Sequence, residues 1–330
     1  PPMNESSRNS RVLIVTPEVT YLPHRMGGLA SFYTAKAGGL ADVSAALISA
    51  LFEQGADVHV AMPDYRALFS DKLAPVLKKE INRIQRKMPD DRIHLAEDRA
   101  FYYINRVYSF YGDENVKLSL AFQREVINNI VPRVQPDLIH CNDWMTGLIP
   151  AMARELGIPC LFTIHNIHTV KTTLADIEDR GIDAAGCWQN IYYENMATGY
   201  EQVRESNPVD LLTSGIFGAH FVNVVSPTFL HEIVEGRHDF IEPPLRATVT
   251  SCMVCESNST SSGPSISALA MKSLRNQRAS ARASWRAASS RLTQAISSDR
   301  ARASTPVLSL ATSWAKSSRG KCCSSSHSAA

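Results

Sequence analysis

No apolar run in this sequence comes near the ~20 residues that a membrane-spanning helix needs, and Pro1–Ser10 is polar, without the core of a secretory leader. The expectation is a protein that is not exported and works in the cytoplasm, away from the membrane. Cysteine is sparse and scattered. Of seven, Cys141 and Cys160 lie in apolar strand-like runs where a free thiol behaves as a small hydrophobe, and Cys252-x-x-Cys255 has no second ligand pair at zinc spacing. Neither a disulfide scaffold nor a metal site is expected. Net charge is also small, +2 over 330 residues, which argues against a nucleic-acid surface. Finally, no Gly-x-Gly-x-x-Gly follows the first apolar run, Val12–Thr16, which counts against a dinucleotide-dependent oxidoreductase.

What is present is enough apolar material, 44% of the chain, for a large core, and a length that allows two ordinary domains. Val12–Thr16 is a continuous β-branched run bounded by Pro17, as expected of a strand covered on both faces. Helical spacing follows over Leu40–Gln54, stopped by Gly55, and then a second strand over Asp57–Met62. A charged helical stretch over Asp71–Lys87 and strand character over Arg99–Tyr111 come next, with a helix over Val116–Val131. The clearest unit is strand Asp137–Cys141, helix Trp144–Leu156 and strand Cys160–Ile164, followed by helix, strand and helix over Pro208–Ala219, Phe221–Val225 and Pro227–Glu235. Alternating β and α elements predict a doubly wound, Rossmann-like parallel sheet whose ligands lie beyond the strands' C-terminal ends. Asn142-Asp143-Trp144 and His165-Asn166 fall at those ends.

The chain is organised around Ala35-Lys36-Ala37-Gly38-Gly39-Leu40-Ala41-Asp42-Val43, where the exit loop of the first strand becomes a helix. Side-chain-free Gly38 and Gly39 admit a ligand to the backbone, amides at the helix start point outward, and the positive end of the macrodipole favours an anion. Lys36 adds a full charge, so a phosphate or pyrophosphate suits the turn best. A packing turn beside a solvated lysine is the plainer alternative, with Asp42 only compensating the dipole. Likewise His165 alone could be a satisfied strand-end group, and Asp143 the N-cap of the next helix.

Lys-x-Gly-Gly-Leu-Ala-Asp-Val after a strand reading Val-Leu-Ile-Val-Thr-Pro-Glu resembles the N-terminal signature of bacterial glycogen synthases and plant starch synthases, and Val224-Val225-Ser226-Pro227-Thr228 resembles the sequence that closes their N-terminal half. The resemblance covers about residues 11–250. It implies the N-terminal half of a GT-B fold and a retaining glucosyltransferase that moves glucose from ADP-glucose to an α-1,4-glucan without a cofactor or metal. By the same resemblance Lys36, Gly38, Gly39 and Asp42 bind the donor, and His165 and Asp143 are the catalytic pair beside the transferred glucose. Asn166 and Trp144 complete the substrate-binding set. Met145, Ile167-His168-Thr169 and Asp210–Gly215 depart from the usual pattern and point to a divergent subgroup.

After Ser257 the composition changes. Eleven Lys and Arg face the single acid Asp299, so residues 1–256 carry a net −8, and serine is roughly three residues in ten of the remainder. Without apolar periodicity such a segment cannot offset its ordering entropy. Residues 251–330 are therefore expected to be disordered, as a frame-shifted stretch or a genuine basic tail, and residues 1–10 to be a disordered N-terminus. With only the acceptor-side half present, a glucosyltransferase fragment inactive alone is the first expectation, and a non-catalytic glucan-binding or regulatory module the second.

Overall fold

A computed structural model of the chain describes residues 10–73, 80, 86–87, 91–197 and 199–235. The expected unstructured N-terminus (all but residue 10), most of the charged helical stretch 71–87 and the Ser/Arg-rich tail lie outside the described residues. In chain order the strands are β1 Arg11–Val15, β2 Asp57–Pro63, β3 Ile93–Ala96, β4 Leu138–Asn142, β5 Cys160–Ile164, β6 Lys171–Thr172, β7 Val209–Asp210 and β8 Phe221–Val224. Six of them form one sheet in the order β3-β2-β1-β4-β5-β8, and every pairing in it is parallel. The doubly wound parallel sheet expected from the sequence is thus observed. Its β-branched and apolar strands are buried on both faces: Leu13, Ile14, Val15, Val58 and Val60 are fully buried.

The helices are α1 Gly39–Glu53, α2 Arg66–Leu73, α3 Arg99–Tyr102, α4 Gly112–Glu125, α5 Val131–Val134, α6 Ile149–Glu155, α7 Leu174–Asp179, α8 Tyr200–Arg204, α9 Leu211–Gly218 and α10 Pro227–Glu235. Chain direction across the sheet reverses between β1 and β4, since the path runs outward from β1 through β2 to β3 and then returns to β4 on the other side. Adjacent crossovers there leave on opposite faces, which opens a crevice at the strands' C-terminal ends.

Four sequence-based boundaries are corrected. The strand expected over Arg99–Tyr111 is instead the short helix α3 and a loop. Asp98 caps the turn by accepting from the Ala100 amide at 2.7 Å, and Phe101 is driven into the core at 0% exposure. The strand lies just upstream, in the four residues of β3. The helix read from Trp144 is a 3-10 turn, Trp144–Thr146, and α6 begins only at Ile149. The helix read over Val116–Val131 begins at Gly112 and runs past Pro132, because one π turn over Val126–Ile130 passes it to α5. Last, Asp210 delays α9 to Leu211 by pairing in β7 and capping the Thr213 amide at 2.7 Å.

The 3-10 turn has a packing cause as well. Gly147 passes so close to α9 that a Cβ there would sit 1.8 Å from the Leu211 carbonyl oxygen, and backbone cannot swing aside. Gly147→Ala should therefore destabilise the domain by about 2 kcal/mol or more. Urea unfolding followed by circular dichroism checks this, and a midpoint equal to that of the parent chain would contradict it.

Candidate functional site

Three strand exits meet at the reversal point. β4 ends in Asn142-Asp143, β5 in His165-Asn166, and β1 in the loop that carries Glu18 and returns as Lys36 to Gly39. Asp143 turns the chain with φ 57° and ψ −175°, a conformation that L-residues rarely adopt and that local structure must hold in place. Two bonds hold it: Oδ1 accepts from the His165 amide at 2.7 Å, and Oδ2 accepts from Asn166 Nδ2 at 3.0 Å. The side chain makes no helix-capping bond, so the N-cap alternative for Asp143 fails. Its carboxyl staples the exit of β4 to that of β5.

Around it the polar groups are fixed in one arrangement. Asn142 Nδ2 donates to the Val15 carbonyl at 3.0 Å, so its Oδ1 is the acceptor for His165 Nε2 at 2.9 Å. His165 is thereby the Nε2–H tautomer, with the Nδ1 lone pair left to accept. Burial pushes the His165 pKa down to about 3, helped by nearby His140, so the ring is neutral at physiological pH. Burial pushes Asp143 the other way, up to about 7, and the negative field of Glu18 adds to the rise against the two bonds it accepts.

The Lys36 turn differs from its expectation in one respect. The Ala37 and Gly38 amides are not free, since both donate to Glu18 Oε2, the Gly38 bond at 2.9 Å. Glu18 is 2% exposed and also accepts from the Tyr108 hydroxyl at 3.3 Å. Tyr108 in turn packs against Trp144, the rings tilted by 39° with centroids 5.9 Å apart. Glu18 thus ties the Lys36 turn to the Asp143 turn, a role that nothing in the Thr-Pro-Glu sequence signals. A carboxylate already sits on amides of the kind proposed to attract an anion. At Gly39 a Cβ would meet nothing within 4 Å, which leaves open space at the start of α1.

Lys36 Nζ pairs with Asp42 Oδ2 at 2.7 Å, and Thr20 donates to Asp42 Oδ1 at 2.5 Å. The Lys36 hydrogen bond, with that of Thr20, holds the Asp42 carboxyl below its ordinary pKa. Both side chains are about half exposed (51% and 53%), so the pair is weak and Lys36 stays available to a stronger anion. Trp144 departs from the substrate-binding expectation. It is 3% exposed, with Tyr108 on one side and His168 edge-on at 5.5 Å, so it supports the wall behind Asp143 and offers a ligand little surface. Further along, Tyr193 is buried as well and donates to the Trp188 carbonyl at 2.8 Å. Among the described residues no cluster of His, Cys, Asp and Glu could hold a metal ion, and no helix is long and apolar enough to cross a membrane.

A doubly wound sheet with a charged, glycine-containing helix start and a His/Asp/Asn cluster at its reversal point defines a Rossmann-like domain with a polar crevice at the strands' C-terminal ends. Comparison with known proteins narrows the class. The starch synthase catalytic domain family matches residues 11–242, and the chain belongs to that family. The glycogen synthase of Moorella thermoacetica is 29% identical over 245 residues, covering 68% of this chain and 45% of its own length. Glycogen synthase 2 of Geobacter metallireducens is 30% identical over 228 residues, covering 61% and 44%. The chain therefore spans about half the length of the curated relatives it matches. Among solved structures, the catalytic domain of starch synthase IV from Arabidopsis thaliana, bound to ADP and acarbose, superposes with a TM-score of 0.50 at 19% identity, over 74% of this chain and half of that one. That likeness supports the fold.

Asp143 offers a direct check. Its folded pKa of about 7 lies above the ordinary 3.8, so the folded chain keeps a proton that the unfolded chain has released. Stability should therefore fall as pH rises from about 4 to about 7, and Asp143→Asn should flatten that slope. Carboxyl-carbon NMR of the labelled chain should show Asp143 titrating near neutrality; a midpoint below pH 5 would contradict the effect of burial.

Proposed function

We propose that this chain is the acceptor-side half of a GT-B glucosyltransferase of the glycogen and starch synthase type, built to extend an α-1,4-glucan from ADP-glucose in the cytoplasm. The observation that carries the reading is the pairing of two unlike surfaces at one sheet edge. One is a cationic helix start at Lys36 with open space at Gly39, next to Gly38, whose amide Glu18 holds. The other is a polar cluster in which buried Asp143 is held by half-buried His165 and exposed Asn166, residues that resemble the family's motif. The domain is taken as residues 11–250, with the basic tail as a separate segment.

In the reaction, the bond from the glucosyl anomeric carbon to the diphosphate breaks, and its electron pair leaves on the diphosphate as positive charge develops on the sugar. A 4-hydroxyl of the glucan then forms the new C–O bond and gives up its proton, leaving ADP and a chain one glucose longer. Lys36 and the Gly39 start of α1 face the growing charge on the leaving group, while Glu18 holds the Ala37 and Gly38 amides. His165, neutral and with Nδ1 free, accepts a hydrogen bond from a sugar hydroxyl. Asp143 lies beside it with a pKa near the working pH, where a carboxyl takes and returns a proton most readily. Asn166 orients Asp143, and Trp144 backs the turn.

Two outcomes test this. Isothermal titration should find weak ADP binding to the chain, reduced about tenfold or more in Lys36→Ala. If Lys36→Ala bound ADP as well as the parent, the lysine would be a solvated charge and the donor assignment wrong. The chain by itself should incorporate no glucose from ADP-glucose into glycogen. The chain spans about half its relatives' length and Lys36 is half exposed; in solvent a charge pair at 4 Å is worth about 1 kcal/mol, against the ~8 kcal/mol or more by which enzymes lower barriers. Clear turnover without a second half would refute that account.

A further inference from the structure

Away from the crevice, between α3, α4 and the end of α7, lies a cavity of about 360 Å³ lined by Asp98, Lys117, Ala121, Arg124, Asp179 and Arg180. Lys117, Ala121 and Arg124 recur at helical spacing on one face of α4. The opposite face of that helix carries Ser119 and Gln123; Gln123 accepts from the Leu148 amide at 2.5 Å and donates to Ser119 at 2.8 Å. The body of α4 therefore separates this cavity from the turn after Asp143, and none of its lining residues belongs to the proposed donor site.

The cations of the cavity are in two states. Arg124 is committed: it donates to Asp98 at 2.5 Å, to Glu125 at 2.9 Å and to the Arg180 carbonyl at 3.1 Å, so it ties α3, α4 and α7 together as a fixed floor. The side chains of Lys117 and Arg180 have no ion-pair or hydrogen-bond partner among the described residues. Lys117 and Arg180 line one concave space with a single carboxylate outside the Arg124 pairs, Asp179, so the lining keeps a net positive charge that favours an anion. A phosphate presents several oxygens to guanidinium and ammonium donors at once. Asp179, an exposed carboxylate on the same lining, is an acceptor suited to hydroxyl groups and not to a second anion. The volume is within the range of small-ligand sites, about 300–1,000 Å³.

We infer that this cavity is a second binding site, for a small phosphorylated polyol whose phosphate sits between Lys117 and Arg180 and whose hydroxyls reach Asp179. Isothermal titration of the 330-residue chain with glucose 6-phosphate, inorganic phosphate and glucose tests it. The ester should bind about tenfold or more tighter than either part alone. The Lys117→Ala/Arg180→Ala double variant should lose about tenfold or more of that affinity, Lys117→Arg should keep most of it, and Lys36→Ala should leave it unchanged. Since these are surface substitutions, unfolding midpoints without ligand should match the parent. The inference is overturned if the ester does not bind, if the double variant binds it as the parent does, or if inorganic phosphate binds as tightly. Loss of binding in Lys36→Ala would assign the ester to the crevice and overturn it equally.

Discussion

A carboxyl group taken out of water must be held by donors, and the architecture of the crevice depends on how Asp143 meets that constraint. At 2% exposure it accepts from the His165 amide and the Asn166 side chain, both on the exit of β5. Those bonds hold a backbone conformation at Asp143 that a free chain would leave. They also place His165 where Asn142 can fix its tautomer, and Asn142 is itself anchored to the last residue of β1. One desolvated carboxyl thus sets the relative positions of three strand ends. The cost of its burial is expressed in its raised pKa, which is the property a proton-handling group at neutral pH requires.

Glu18 solves the same problem on the other side of the reversal point. Its donors are the Ala37 and Gly38 amides and the Tyr108 hydroxyl, which come from the approach to α1 and from the loop before α4. Through Tyr108 and the Trp144 ring packed against it, the two carboxyl-centred networks are joined. Separately, the Glu18 charge acts through space to raise the Asp143 pKa, so a change at Glu18 bears on Asp143.

The sheet was legible in the sequence because its strands are buried on both faces and so read as unbroken β-branched runs between Pro and Gly. Cys160–Ile164 is predicted to the residue. Elements that depend on tertiary contact were not legible. β3 is four residues long, and the 3-10 turn at Trp144–Thr146 exists because Gly147 must pass the Leu211 carbonyl. The motif residues were legible through their order along the chain, but what they bond to was not. No pattern in Thr-Pro-Glu announces that Glu18 will occupy amides twenty residues further on. Likewise an exposed-seeming Trp144 after an acidic residue gives no sign that Tyr108 and His168 will cover it.

The two halves of the site differ in how finished they are. Asp143 and Asn142 are buried, bonded at every polar atom that the fold can reach, and locked in orientation. Lys36 and Asp42 are half exposed, joined by a pair that water and salt weaken, and backed by open space at Gly39. Preorganised groups act strongly where water is excluded, and solvated ones act strongly only after something else excludes it. The Asp143 side of the crevice is therefore fixed by bonds within the described residues. The Lys36 side is solvated in the described residues, and its strength depends on whatever covers it; the relatives matched are about twice as long as this chain.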